Sequence, residues 1–314
     1  MRSDGVVDQA EGLRRLLVAN QTQIVTVVAG KTGMGRTSAT INLAAALVRS
    51  GKDVLVLDEN HAPNNLLDYL GLTARQDLLD VAQGGCLPHE AVLDGHGFGV
   101  LPASRAIHAL AISRRSAGSG GGLGRDEWRR MEAALTEVSR GVDVMLVDGA
   151  MLAGQAAAVS SSLADGAGLL VVVEATPEGI TDSYALIKRL ALENSRLQFD
   201  IVVNKVASEK AAMTVFDNMS KVARSKLSVR LEYLGYVPLD EKIRYATQMG
   251  KSVLDAFPAT ASAKAYLELA QNLLRQPMRK DEAESGVAAI IHSLMSQVSQ
   301  PLRGYSKEIA HVVN

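Results

Sequence analysis

Residues 24–38 read IVTVVAGKTGMGRTS: an apolar, β-branched run, then a glycine-rich loop, then the opening of a helix-forming stretch. Strand, loop and helix in that order are what a phosphate cradle requires. Glycines let backbone N–H groups curl around phosphate oxygens, and the helix N-terminus aims the positive end of its dipole at the same point. Gly30-Lys31-Thr32-Gly33-Met34-Gly35-Arg36-Thr37 fits G-x-x-x-x-G-K-[ST] at every specified place but one, where Arg36 stands for the lysine. The guanidinium keeps the charge but is bulkier and planar, so nucleotide binding is expected to survive the change better than transition-state placement. Thr37 supplies the hydroxyl that such loops give to Mg²⁺, and Ser38 follows in the first turn. Two other readings stay open on these residues. Gly33-x-Gly35, with Asp58 about twenty residues further on, matches part of a dinucleotide-binding fingerprint, although Ser38 takes the place of its third glycine. A tight strand-to-helix turn without a ligand is the other.

Outward from the loop, short apolar runs alternate with segments of 3.6-residue period. That alternation predicts an α/β fold, a doubly wound and mostly parallel sheet with helices on both faces. Strands are predicted at 24–29, 54–57, 98–101, 144–147, 169–173, 201–203 and 234–237, and helices at 37–49, 180–193, 215–227 and 262–274, with Thr181 and Asp182 near a helix start. Asp58 ends VLVLD and Asp148 ends DVMLVD. Ligands of open parallel sheets sit beyond the carboxyl ends of the strands, so both acids are candidates, with Thr37, to hold Mg²⁺ or its waters; either alone is equally a turn former.

The 314 residues are 47% apolar, enough for a substantial core. Lys plus Arg number 33 against 34 Asp plus Glu, a formal charge of −1, so no overall basic field draws the chain to nucleic acid and no direct nucleic-acid contact is expected. Cys86 is the sole cysteine, which excludes an intramolecular disulfide; with only His89 near it, it reads as a small buried thiol rather than part of a zinc set. MRSDGVVDQAEGLRRLL mixes charges and lacks an apolar leader core, and no run reaches the roughly 18 apolar residues of a membrane span. A cytoplasmic location is the resulting expectation. Residues 116–125, SAGSGGGLGR, read as a surface loop, and Trp128 as the apolar anchor of a helix.

The loop K-x-G-x-G-R-T, beginning at Lys31, resembles the deviant Walker loop KGGxGKT of the MinD/ParA family of P-loop ATPases. LVLDENHAPNNLLDYLGL (55–72) looks like that family's switch I, and DVMLVDGAMLAG (143–154) like its Walker B and switch II. VVVEATPEGITDSYALIKRL (171–190), IVVNKV (201–206) and VRLEYLGYVPLDEKIRYA (229–246) resemble the stretches that complete its pocket and core. The last of these, with DQAEGLRRLL at 8–17, points to the branch of flagellar-number regulators, the FlhG/FleN group. The resemblance implies an ATP-dependent homodimer in which Lys31 reaches the partner's phosphates. It also implies Mg²⁺ served by Thr37 and Asp58 and backed by Asp148, an adenine edge read by Asn204, and a base and ribose covered by the segment of Pro238 and Asp240. Three departures stand out: Thr32 for a loop glycine, Arg36 for the Walker lysine, and Asn60 for the second aspartate of D-x-D, which positions the attacking water. An amide cannot accept a proton as a carboxylate does, so of the candidate catalytic residues Lys31, Asn60 and Asp148 one is chemically weakened. A chain that binds ATP and hydrolyses it slowly or not at all is expected; the alternatives are a non-hydrolysing scaffold and a ParA-type DNA-partitioning ATPase.

Three regions follow: an interaction segment at 1–21, the nucleotide-binding domain at 22–275, and a linker with an amphipathic helix at 276–314. In the first, Gly12 costs roughly 1 kcal/mol of helix propensity, so a helix there needs a surface to fold on. One such surface is its own domain. The other, implied by the resemblance, is the signal-recognition-type GTPase FlhF, contacted through Asp8, Gln9, Leu13 and Arg14; a flagellar master transcriptional activator is a further implied partner. In the last region Ile290, Ile291, Leu294, Met295 and Val298 form an apolar stripe at helical spacing. It matches the family's peripheral membrane helix, but its polar face lacks the Lys and Arg that anionic lipid attracts, and packing on protein is the competing reading.

Overall fold

The computed structural model describes residues 22–60, 63, 65–115, 123–149, 168–194 and 196–276. The partner segment Asp8–Arg14, the stripe Ile290–Val298 and most of the surface loop 116–125 lie outside them, as does the switch II stretch beyond Gly149.

Along the chain come β1 (Gln23–Ala29), α1 (Arg36–Arg49), β2 (Val54–Asp58), α2 (Leu66–Leu70), α3 (Leu78–Ala82), β3 (Leu93–Asp94), β4 (Gly99–Pro102), α4 (Ser104–Arg115), α5 (Arg125–Val138), β5 (Val144–Asp148) and β6 (Gly168–Glu174). They are followed by α6 (Pro177–Asn194), β7 (Gln198–Val206), α7 (Glu209–Leu227), β8 (Arg230–Pro238), α8 (Glu241–Gln248), α9 (Val253–Ala256) and α10 (Ala261–Arg275). The strands form one sheet in the order β3-β4-β2-β5-β1-β6-β7-β8, parallel except for β3 on β4. β1 is central, with β5 on one side and β6 on the other, so the loop after it opens beyond the carboxyl ends at the place where ligands of doubly wound sheets bind.

Every residue of β2 and β5 is buried, as continuous apolar runs covered on both faces should be. Period-2 alternation divides β1 between two faces: Val25 and Val27 pack with α1, α10 and Tyr266, while Ile24 and Val28 point to the opposite side. There Ile24 joins Trp128, Met131 and Leu135 of α5, and Val28 joins Leu186 and Ile187 of α6. Trp128 is thus the helix anchor its sequence suggests, with Cys86 partly buried against the same cluster.

Three differences from the sequence expectation have physical causes. β7 and β8 run to nine residues each: in β7 buried polar residues interrupt the apolar signal, Asp200 accepting a hydrogen bond from Gln276 Nε2 at 3.1 Å, and in β8 exposed and half-buried residues break it. β3 is a two-residue antiparallel edge strand without a β-branched residue. Finally, α6 begins at Pro177, placing Thr181 and Asp182 in the helix's second turn rather than at its start.

Candidate nucleotide site

Helix α1 starts from Gly35, whose φ of 93° is left-handed, and no side chain caps it and no acid lies in its first turn. A fourteen-residue helix whose first N–H groups have no side-chain partner is a ready anion site. Two loop glycines are there for room: a Cβ on Gly30 would overlap the backbone of Asp182 and Ser183, and one on Gly35 the amide nitrogen of Asn204. Thr32, by contrast, has no left-handed φ and its side chain is exposed, so a side chain costs nothing at that place.

The loop forms one wall of a cavity of about 580 Å³, within the usual range for small-molecule sites. Lys31, Thr32, Gly33, Gly35, Arg36, Thr37 and Ser38 line that wall, and Asn60 and Asn204 also reach the cavity. Met34 does not; it is buried, with the Ser183 hydroxyl 3.9 Å from its sulfur. Across the cavity stand Pro238, Leu239, Asp240, Arg244 and Tyr266. The Asp240 carboxylate faces its own helix: it caps α8 through Lys242 N–H at 2.9 Å and accepts the Ser262 hydroxyl at 2.6 Å. Burial works against its charge, yet those hydrogen bonds hold the carboxyl below the usual range. Lys31 is 62% exposed at the rim, its ammonium 4.0 Å from Asp182.

Beneath the loop the strand-end acids meet. Arg36 Nε donates to Asp148 Oδ1 at 2.8 Å, Thr37 Oγ1 donates to Oδ2 at 2.8 Å, and Thr40 Oγ1 lies 3.4 Å from Oδ1. The Asp148 side chain is wholly buried and that of Arg36 only 10% exposed, so this is a desolvated ion pair with both carboxylate oxygens engaged. Asp58 pairs in register with Asp148 across β2 and β5. Burial, then the neighbouring Asp148 charge, push its carboxyl up to about 7, against the pull of the Asn60 N–H and Arg36. Neither acid lines the cavity; both sit below the loop instead of facing the open space.

The residues fit a nucleotide and a magnesium ion. Among the described residues no group of three or more His, Cys, Asp or Glu could hold a metal ion by itself, but Mg²⁺ characteristically takes one or two carboxylates, with substrate phosphates and water completing its shell. Two buried carboxylates and a threonine hydroxyl under a phosphate loop are that donor set.

Sequence reasoning missed Lys205 and Tyr266. Lys205 Nζ donates to the Gly33 carbonyl at 2.8 Å, beside Asn204 Nδ2, which donates to the Met34 carbonyl at 2.8 Å. Its signal was its place next to Asn204 in IVVNKV. Tyr266 is buried, hydrogen-bonds Ser38 through its hydroxyl, and is held by burial well above the usual tyrosine range. It reads as an ordinary apolar position of α10, and no local signal marks it.

A parallel sheet with a central strand feeding a glycine loop, an uncapped helix start and strand-end acids defines a P-loop nucleotide-binding protein. Residues 25–253 match the family model described as the CobQ/CobB/MinD/ParA nucleotide binding domain, and the chain belongs to that family. It is 32% identical over 257 residues to the antiactivator FleN of Pseudomonas aeruginosa, covering 82% of this chain and 88% of FleN. It is 25% identical to the flagellum site-determining protein YlxH of Helicobacter pylori, over 69% of each. The fold is shared with the septum site-determining protein MinD of Pyrococcus horikoshii solved with Mg-ADP, at TM-score 0.59 and 22% identity, over 81% of this chain and 96% of that one. The chain is therefore a MinD/ParA-family protein related to flagellar regulators, and none of its described helices is long and apolar enough to cross a membrane.

Proposed function

We propose that this chain is an ATP-binding regulatory switch controlling flagellar number or placement, with hydrolysis much slower than its fold would permit. The observation that carries the reading is the Arg36–Asp148 ion pair beneath an otherwise intact phosphate loop. Support for the setting comes from the relatives, one called an antiactivator and one site-determining for the flagellum.

Bound Mg²⁺ would supply charge neutralisation between the outer phosphates. Arg36, Thr37, Asp58 and Asp148 do the rest. In the pair, Arg36 neutralises the buried Asp148 carboxylate and Thr37 is occupied on its other oxygen. For Thr37, Asp58 and Asp148 to serve a metal ion, Arg36 has to swing from the acid to the phosphates and Thr37 has to turn its hydroxyl. Each move breaks a buried charge-assisted hydrogen bond. Asn60 sits at the cavity wall where a carboxylate would orient water, and it offers an amide. Both changes act on turnover more than on binding.

Lys31 at the exposed rim suits a dimer in which it reaches the second copy's phosphates. Residues 1–21 are assigned to FlhF and to its GTPase stimulation, a role independent of the chain's own hydrolysis. Residues 276–314 are assigned to peripheral membrane contact. The same ion pair also favours a scaffold that binds nucleotide and never hydrolyses it. Calorimetry with ADP and ATP, size exclusion in each nucleotide and a phosphate-release assay test the set together: micromolar-range binding with little release supports the switch, and release at a dimer-dependent, family-typical rate overturns slow hydrolysis. Gln9→Ala should abolish stimulation of FlhF, and truncation at Glu284 should abolish co-sedimentation with anionic liposomes; unchanged results remove those assignments.

A further inference from the structure

We propose that Tyr266 is a positioning residue for nucleotide, acting through Ser38: its phenol donates to the Ser38 hydroxyl and so leaves the serine proton aimed into the cavity, at phosphate. This rests on the nucleotide reading above. Tyr266 stands at an apolar position in the middle of α10, 1% exposed, in one cluster with Leu269 and Leu273 of its own helix and Leu43 and Leu47 of α1. Phenylalanine would fill such a place without burying a hydroxyl, and a buried hydroxyl costs stability unless it finds a partner. Among the described residues the partner of this one is Ser38, and burial keeps the phenol protonated.

Two neighbours decide where the Ser38 proton goes. A serine hydroxyl has one hydrogen and two acceptor lone pairs. Asn42, one turn further along α1, donates through Nδ2 to the Ser38 carbonyl at 2.7 Å, and the same nitrogen lies 3.4 Å from Ser38 Oγ. The amide is fixed this way round because its Oδ1 accepts the Val253 N–H at 2.7 Å. Asn42 therefore faces Ser38 with hydrogens only. Tyr266 is the second donor, since its buried proton has the Ser38 oxygen as its acceptor. With a donor toward each lone pair, the Ser38 hydrogen is left for the remaining direction, and Ser38 lines the cavity beside Thr37. A hydroxyl that receives a hydrogen bond is also the stronger donor in turn. Helix α10 holds the phenol in register: Ser262, one turn before Tyr266 on the same face, donates to Asp240 Oδ2 at 2.6 Å on the opposite wall of the cavity.

A double-mutant cycle read by calorimetry on the full chain tests the assignment. Tyr266→Phe keeps the ring and its packing, and ADP affinity should fall roughly threefold to tenfold, the worth of one neutral hydrogen bond. Ser38→Ala should lose at least as much, and in that background Tyr266→Phe should cost nothing further. A merely structural phenol would weaken ADP by the same factor with or without the serine hydroxyl, so additive losses overturn the proposal. A Tyr266→Phe variant that binds ADP as tightly as wild type overturns it too. Wild-type protein that binds no ADP overturns the nucleotide reading itself, and the role of Tyr266 falls with it.

Discussion

Arg36 Nε lies 2.8 Å from Asp148 Oδ1, and the carboxylate's other oxygen accepts the hydroxyl of the very next residue, Thr37, at 2.8 Å. Two adjacent loop residues that would face phosphate and metal are thus docked on one strand-end acid 111 to 112 positions away. The guanidinium thereby neutralises a carboxylate that is wholly buried.

Removing the arginine charge should therefore expose how much the fold depends on it. Arg36→Met leaves Asp148 buried without a cation, and breaking such a pair costs about 3–5 kcal/mol. Urea unfolding should show that loss. Arg36→Lys, which keeps the charge, should recover much of it. A methionine variant as stable as wild type would mean the pair contributes nothing to the folded state.

Turnover should respond to the two weakened positions together. Arg36→Lys returns a compact ammonium that moves between acid and phosphate, and Asn60→Asp returns a carboxylate to orient water. Since positioning and charge stabilisation act as a unit, the double variant should raise phosphate release roughly tenfold or more over wild type, well beyond either single change. No gain in the double variant would place the block elsewhere.

The parts of this site legible in the sequence are those fixed by short-range geometry. Glycines that must pass close to backbone, a hydroxyl one residue into a helix, and acids at strand ends all leave marks at fixed spacing, and each stands where that spacing put it. What was not legible is the partner each side chain chooses. Nothing local says that Arg36 turns down to Asp148 rather than up into the cavity, or that the Asp240 carboxylate is absorbed by Ser262 22 residues away. Tyr266 reaches Ser38 only because α10 packs across α1. Likewise β7 outruns its apolar core because buried polar residues such as Asp200 find partners that only tertiary structure supplies, and β8 because its exposed and half-buried residues break the apolar run.

Asp58 makes the site's electrostatic strain measurable. Its carboxyl stands at about 7 in the fold against 3.8 ordinarily. A raised carboxyl means that the folded chain holds a proton the unfolded chain has lost, so between pH 4 and pH 7 stability falls as pH rises, by up to about 4 kcal/mol before relaxation, and then levels off. Asp58→Asn removes the charge, so without metal or nucleotide it should raise Tm at pH 8 and change it little at pH 4. An equal shift at both pH values would show that packing, not charge, is responsible.

Lys31 is expected to behave in the opposite way to Arg36. Its side chain is 62% exposed, and its nearest acid, Asp182, is 4.0 Å away and itself 39% exposed. Solvent-exposed pairs of this kind contribute about 0–1 kcal/mol, so Lys31→Ala should leave urea stability nearly unchanged. Its ammonium has no buried work within its own chain, and its position on the rim beside the phosphate loop leaves it free to reach a second copy. Size exclusion in ATP should accordingly show wild type shifting to a dimer and Lys31→Ala remaining monomeric, with ADP binding by the monomer preserved. If the alanine variant dimerises as wild type does, Lys31 is not the residue that crosses; if it loses ADP binding, Lys31 serves its own loop, and the exposed lysine and the buried arginine have divided the cation's work within one chain.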